Sequence, residues 1–279
     1  MSDSGKYMKL HRDEVKRYLS LLDVSVGAPT LDALRGIIRA HLATMPFENI
    51  SKLYRWKTSG AADVPSCTEF LDGIEQFHFG GTCYSNNYHL CQLLVSLGYD
   101  AVLCGADMSK PDVHVVSIVK VEGREYIVDA GYGAPFLDPL PRHLPLDHVI
   151  SHGDDRYVLH PQDSLGHSRL VFYQNGTERH GYRVNPKPRG IQEFSQVVAD
   201  SFRPEATFMN AVLLTKHAPD FSVVLRNLTC TEIRGEAARI TTLRTTDELV
   251  AAIADHFSIP ASVSRIALEG LSFRADAWS

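Results

Sequence analysis

The 279-residue sequence has no window of about 18 consecutive apolar residues, the length that spans a bilayer, so no membrane segment and no membrane partner are expected. It has no Cys-x-x-Cys pair. Its five cysteines, Cys67, Cys83, Cys91, Cys104 and Cys230, are odd in number, and their spacing suits neither a disulfide framework nor a structural zinc site, so no metal is expected. It has no basic excess: 28 Lys and Arg against 33 Asp and Glu leave a net charge of −5, which argues against a nucleic-acid partner. The segment Met1 to Leu10 lacks the apolar core of a signal peptide. These absences predict a cytoplasmic chain with reduced thiols, in which the Asn-x-Ser/Thr triplets at Asn49, Asn175 and Asn227 carry no sugar. Three common enzyme signatures are missing as well. There is no Gly-x-Ser-x-Gly elbow, Gly131-Tyr132-Gly133 has Phe136 where a dinucleotide fingerprint needs a third glycine, and Gly80-Gly81 lacks the Lys-Ser/Thr of a phosphate loop. Nothing in the sequence marks an oligomeric state.

What is present is a globular composition, 44% hydrophobic and 22% charged, over a length that suits two or three domains. The first hundred residues read as helices. Val15, Tyr18, Leu19 and Leu22 recur at helical spacing, as do Leu31, Leu34, Ile38 and Leu42 after an N-cap at Thr30. Met45 to Ile50 reads as extended or turning, Thr68 to Phe77 as a short helix, and Cys83 to Leu97 as a helix buried on most sides and ended by Gly98. The texture then changes to β-branched runs at 101–104, 113–121 and 126–128, with further strands at 156–160, 168–173 and 179–183, as in a small barrel or sandwich. Asp138 to Pro145 reads as a rigid loop, and His143, His148 and His152 around it as surface residues. Strands at 212–215, 222–228 and 239–243 and an amphipathic helix from Asp247 to Phe257 close the chain. The fold class is α+β, in three segments: helices over 1–98, strands over 99–202 and a mixed lid over 203–279.

The chemistry concentrates at Phe79-Gly80-Gly81-Thr82-Cys83. A cysteine that opens a helix meets the positive end of the helix dipole and free backbone amides, which favour thiolate and can hold an oxyanion. Cys91 and Cys104 lie on an apolar helix face and in a strand, where a free cysteine is a small hydrophobe, and Cys67 and Cys230 have no motif around them. A thiol nucleophile needs a base, and the base an orienting group. If Glu122-Gly123 is a two-residue turn, Val121 pairs with Arg124, His114 faces Gly131, and Asp129 lies two positions along on the same face. That diagonal lets His114 and Asp129 hydrogen-bond, whereas a three-residue turn destroys the geometry. The alternative is that His114 is a satisfied strand histidine and Asp129 a turn cap.

These residues resemble the arylamine N-acetyltransferase family. Gly80-Gly81-Thr82-Cys83 is similar to its Arg-Gly-Gly-aromatic-Cys motif, and Val113-His114-Val115 through Asp129-Ala130-Gly131-Tyr132-Gly133 to its base-to-acid stretch. Pro46-Phe47-Glu48-Asn49 resembles its Pro-Phe-Glu-Asn, and Pro204-Glu205-Ala206-Thr207-Phe208 its Ser-Pro-Glu-Ser-x-Phe. The resemblance implies a helical bundle carrying the nucleophile, a β-barrel carrying His and Asp, and an α/β lid, around a papain-like core. It implies ping-pong transfer from acetyl-CoA, as co-substrate, to an aromatic amine or hydrazine. Cys83 then carries the acetyl group, His114 moves the proton and Asp129 holds the imidazole. Tyr132 and Phe47 match acceptor-pocket positions, and Lys110, Pro111 and Gly133 match positions on the coenzyme side.

The chain departs from the pattern at three places. Phe79 replaces the arginine expected to pair with Glu48, which leaves Arg55, Lys57, solvent or a raised pKa for that carboxyl. Ala206 replaces a serine, and Tyr84-Ser85-Asn86-Asn87 differs from the common aromatic-Glu-Gln-Asn. An amide synthase or acyltransferase with another donor or acceptor, and a catalytically weak binding module, therefore stand as alternatives.

Overall fold

Helix starts in this chain follow side-chain capping. The computed structural model describes residues 9–25, 27–235 and 237–271, so the expectation for Met1–Leu10 lies outside the described residues except at its last two positions. A capping box at His11 and Glu14 opens α1 (Arg12–Leu22), and Thr30 opens α2 (Leu31–Thr44) by accepting the Ala33 amide at 3.2 Å. Thr30 is exposed, so Thr30→Ala is expected to cost about 1 kcal/mol in urea denaturation with the fold unchanged; no loss would mean another group caps α2.

Pro46 ends α2. The chain then makes a two-residue strand, β1 (Phe47–Glu48), and enters α3 (Ile50–Ser59), which stops at Gly60 with φ 69°. The Ser66–Glu69 capping box opens α4 (Cys67–Phe77), and α5 (Cys83–Ser96) follows. The expected extended segment thus covers only β1, and α3 begins at its last residue.

Seven strands come next: β2 (Asp100–Asp107), β3 (His114–Val121), β4 (Arg124–Val128), β5 (His148–His152), β6 (Asp155–Leu159), β7 (Ser168–Gln174) and β8 (Thr177–Pro188). They form one antiparallel sheet in the order β4-β3-β2-β8-β7-β6-β5. The outer strands β4 and β5 do not pair, so the small barrel or sandwich expected over these residues is a curled half-barrel. Glu122-Gly123 and Asn175-Gly176 all have positive φ, between 50° and 75°, the signature of two-residue hairpins whose twist matches their strands. Val121 accordingly pairs with Arg124 and Ser117 with Val128. The histidines expected on the surface are corrected: His148 and His152 bound strand β5, His143 reaches the Glu125 carbonyl at 3.0 Å, and none of the three is exposed.

After α6 (Ser195–Asp200), strands β9 (Leu213–Ala218), β10 (Phe221–Arg226), β11 (Thr229–Arg234) and β12 (Ala237–Thr242) form a second antiparallel sheet. Its first strand is β1, with Phe47 opposite Thr215 and Glu48 opposite Leu214. Helices α7 (Thr246–Phe257) and α8 (Ala261–Leu268) are the last elements among the described residues. Ile50, Leu53 and Phe79 share one core with Val223, Leu225, Ile253 and Phe257, so the residues around Pro46-Phe47-Glu48-Asn49 are packed against the C-terminal elements. Each of these side chains contributes about 1.5–3 kcal/mol by burial, which ties the start of α3 and the loop before α5 to the far end of the sequence. Among the described residues no helix is long and apolar enough to cross a membrane.

Candidate active site

The loop before α5 is built on two glycines that pack against the chain after α2. A Cβ at Gly80 would lie 1.8 Å from the Pro46 carbonyl oxygen, and one at Gly81 would lie 2.7 Å from Ser85 Cβ. Their absence lets Gly81 donate to the Pro46 carbonyl at 3.3 Å and the Glu48 amide donate to the Gly81 carbonyl at 3.1 Å. Cys83 is fixed as the first residue of α5. The side chain of Thr82 makes no capping bond, so the first-turn amides of α5 keep their positive potential next to the sulfur. Across from it, a Cβ at Gly131 would lie 2.6 Å from Cys83 Cα, so glycine is required where the chain after β4 crosses the helix start.

His114 opens β3 and Asp129 follows β4, and the two-residue turn brings them together. His114 Nε2 is 2.9 Å from Asp129 Oδ2, and both side chains are buried. With Nε2 committed to Asp129, Nδ1 is the ring nitrogen left for Cys83, whose thiol donates to the carbonyl of Val113, the residue next to His114, at 3.8 Å. Burial opposes the imidazolium, but the facing Asp129 carboxylate and then Cys83 outweigh it and hold the His114 pKa above its ordinary value. Burial likewise opposes the Asp129 carboxylate, and His114, Asn87 and the Gly131 amide together keep its pKa below the usual range.

Asn87 is the residue that sequence reasoning undervalued. It lies one turn after Cys83, so it shares that face of α5. Its Nδ2 donates to Asp129 Oδ1 at 2.8 Å and to the Val115 carbonyl at 2.6 Å, and its Oδ1 accepts the Ala130 amide at 2.7 Å. One side chain thus locks the nucleophile helix to both strands that carry the His–Asp pair. The i, i+4 spacing from Cys83 was the available signal. The other four cysteines are buried thiols, with Cys67, Cys91 and Cys104 each pushed up to about 12 by burial.

Phe79 stands in an aromatic cluster with Tyr54 and Phe77, at ring separations of 5.9 and 5.2 Å. Glu48 pairs with neither of the cations expected for it: Arg55 bonds to Asp63 at 3.0 Å, and Lys57 donates to the Glu269 carbonyl. Instead the Glu48 carboxyl, fully buried, accepts the amides of Ser51 at 2.8 Å and Gly80 at 3.2 Å, and burial raises its pKa. Of the outcomes open for this carboxyl, burial on backbone amides without a cation is the one found, and desolvation pushes its pKa up.

A cleft of about 280 Å³ opens between the half-barrel and the second sheet, lined among others by Tyr132, Gly133, Tyr157, Phe172, Thr215 and His217. The Tyr132 ring, which lines this cleft, meets His114 edge-on at 5.7 Å, so one ring lies between the cleft and the buried pair. Phe47 backs Gly133 and meets the Phe208 ring at 5.7 Å. Gly133, expected on the coenzyme side, thus lies in the same cleft as Tyr132. Lys110 and Pro111 stand apart from it, on the exposed turn between β2 and β3. Among the described residues no group of three or more His, Cys, Asp or Glu is arranged to hold a metal ion. A thiol, an imidazole and a carboxylate in sequence, at a helix N-terminus and beside an aromatic cleft, are equipped for nucleophilic acyl transfer.

Known proteins share this arrangement of elements. A family model described as N-acetyltransferase matches residues 30–266. The chain is 32% identical over 228 residues, 73% of its length and 77% of the relative's, to the pineal gland isozyme NAT-10 arylamine N-acetyltransferase of Gallus gallus. It is 25% identical over 207 residues, 70% of its length and 69% of the relative's, to the arylamine N-acetyltransferase / N-hydroxyarylamine O-acetyltransferase of Salmonella typhimurium. The structure of Mycobacterium marinum arylamine N-acetyltransferase in complex with CoA superposes with a TM-score of 0.76 at 22% identity, covering 93% of this chain and 100% of that one.

Proposed function

Because the chain belongs to the arylamine N-acetyltransferase family of acyltransferases, we propose that it transfers an acetyl group from acetyl-CoA to an aromatic amine or hydrazine nitrogen through a thioester on Cys83. The observation that carries this reading is the buried His114–Asp129 pair at 2.9 Å, with the Cys83 thiol 3.8 Å from the carbonyl of the adjacent Val113.

Asp129 accepts the Nε2 proton of His114 and thereby fixes the ring with Nδ1 toward the sulfur. In the first half-reaction the Cys83 sulfur attacks the thioester carbonyl of acetyl-CoA. The bond from Cys83 to the acyl carbon forms, the bond from that carbon to the coenzyme sulfur breaks, and the departing thiolate takes the proton from His114. In the second, the amine nitrogen attacks the acyl carbon, its proton passes to His114, and the Cys83 thiolate is released. Backbone amides of the first turn of α5 are the candidate stabilisers of the tetrahedral oxyanion. The acceptor approaches through the cleft beside Tyr132, with Phe47 behind it, and the ring faces there suit an aromatic amine. Lys110 carries an exposed ammonium on the turn that leads into His114, where it suits the coenzyme phosphates, and Pro111 stiffens that turn. In this reading residues 1–98 supply the nucleophile, 99–202 the base and its orienting acid, and 203–279 the cover.

Mass spectrometry after mixing with acetyl-CoA, before any acceptor is added, is expected to show an adduct of about 42 Da on Cys83 that an arylamine then discharges. Absence of the adduct, or the same adduct in Cys83→Ala, would sink the proposal.

A further inference from the structure

Lys52 is a buried cation without a carboxylate. It lies on α3 with 8% of its surface exposed, its Nζ donates to Ser201 Oγ at 2.6 Å, and the ammonium sits 4.0 Å from the centroid of the Phe202 ring. A lysine so far from solvent ordinarily has an acidic partner, because desolvating an ammonium is costly. The charged and titratable groups around it are engaged elsewhere. One turn before it on the chain, Glu48 is bonded to the amides of Ser51 and Gly80. One turn after it on α3, Arg55 bonds to Asp63. Glu69 on α4 caps Ser66, Tyr84 on α5 donates to the Asp112 carbonyl, and Asp200 on α6 pairs with Arg203. Among the described residues Lys52 makes no ion pair.

A hydroxyl and an aromatic ring alone do not account for keeping a buried charge; a methionine fills the same space at lower cost. Lys52 lines a small cavity of about 50 Å³ together with Gly80, Thr82 and Tyr84, the residues on either side of Cys83. Phe79, where the family resemblance calls for arginine, is an apolar side chain, so the loop entering the nucleophile brings no cation of its own.

We propose that Lys52 is a positioning residue that supplies the positive charge stabilising the Cys83 thiolate. This rests on Cys83 being the nucleophile; Lys52 acts through the sulfur and does not touch substrate. In a water-poor site a unit charge is felt by groups it does not touch, whereas bulk water screens it. The coupling is mutual. Burial lowers the Lys52 pKa, negative charge at Cys83 opposes that, and the two together leave it at about 8. Its positive charge is therefore present below about pH 8 and is lost as the pH rises through that value.

The experiment is iodoacetamide labelling of Cys83, followed residue by residue by mass spectrometry from about pH 6 to 9.5, with melting temperatures recorded alongside. Lys52→Met is expected to slow Cys83 labelling about tenfold at pH 7, with the gap closing above about pH 9, where the wild-type lysine has lost its own charge. Lys52→Gln, which can still bond Ser201 but carries no charge, is expected to match Lys52→Met. Lys52→Arg is expected to stay within about threefold of wild type and to keep its rate above pH 9, because guanidinium does not titrate there. Wild-type labelling in Lys52→Met across the whole range overturns the proposal. So does equal slowing in Lys52→Met and Lys52→Arg, which would mark a packing role. If Cys83 of the wild type labels no faster than the other four cysteines, the nucleophile assignment itself falls, and this inference with it.

Discussion

Asp129→Asn is expected to lower kcat/KM for acetyl transfer about a thousandfold while leaving the fold intact. The surroundings of Asp129 dictate which way the new amide points. Asp129 Oδ1 already accepts two donors, the Asn87 amide group at 2.8 Å and the Gly131 backbone amide at 3.0 Å. In the variant only the amide oxygen can accept both, so the new NH2 group is forced to face His114 Nε2. That nitrogen must then present a lone pair, and the proton moves to Nδ1, on the side of Cys83. The imidazole can no longer take the thiol proton, and the negative charge that stabilised the imidazolium is gone. Loss of the orienting carboxylate with geometry preserved costs about 10³–10⁴ in enzymes with such triads. Steady-state kinetics with an arylamine acceptor, together with Cys83 labelling rates, provide the check. A variant within about tenfold of wild type would show that His114 does not act through Asp129.

The triad was readable from sequence because each link is short in the chain. Cys83 follows its glycines directly, and the His114–Asp129 pairing needs only the hairpin closed by Glu122-Gly123. The long helices were readable too, since α1, α2, α4 and α5 carry apolar stripes and most begin at capping residues. Helix α8 escaped although Val263, Ala267 and Leu268 recur in it at helical spacing; other missed elements bury few apolar residues of their own. Helix α3 buries Ser51 and Lys52 beside Ile50 and Leu53, strand β5 has no fully buried residue, and β11 buries only Cys230. Their structure comes from neighbours distant in sequence, as when β1 docks on β9 and α3 shares a core with α7. The same applies to individual site residues. Asn87 was visible through its spacing from Cys83, whereas Lys52 was not, because Ser201, Phe202 and the opposite cavity wall reach it only in the folded chain. Opening of the sheet into a half-barrel was equally hidden, since strand spacing specifies the strands and leaves closure undetermined.

Acidification from pH 7 to 5 is expected to remove several kcal/mol of stability, through three histidines buried without charge. His41 on α2 contacts the Tyr18 hydroxyl at 3.3 Å and leaves Nε2 buried without a partner; burial lowers its pKa to about 3. His89 on α5 lies between Gln92 and the Pro65 carbonyl, stacked on Phe70, and burial lowers it to about 4. His217 on β9 is held by Ser222 at 2.8 Å and the Gly133 carbonyl at 3.2 Å, and burial lowers it also to about 4. Each is neutral in the folded chain and protonates near pH 6.5 once unfolded. Its contribution is complete above about pH 6.5 and is lost as the pH falls from there toward the folded value. Between pH 7 and 5 the loss is about 1–2 kcal/mol per histidine, roughly 3–6 kcal/mol for three, against a typical total of 5–15. Two groups work in the opposite sense. His114, with a folded pKa raised to about 10, contributes fully below about pH 6.5 and loses its share as the pH rises from there through that value, and Glu48, also raised, is relieved by taking up a proton. Asp129 begins to lose its contribution only below about pH 4. The balance is a urea midpoint that falls steeply below about pH 6.5, with the slope reduced by roughly a third in His89→Gln. A midpoint independent of pH between 7 and 5 would show that these imidazoles take up protons without unfolding the chain.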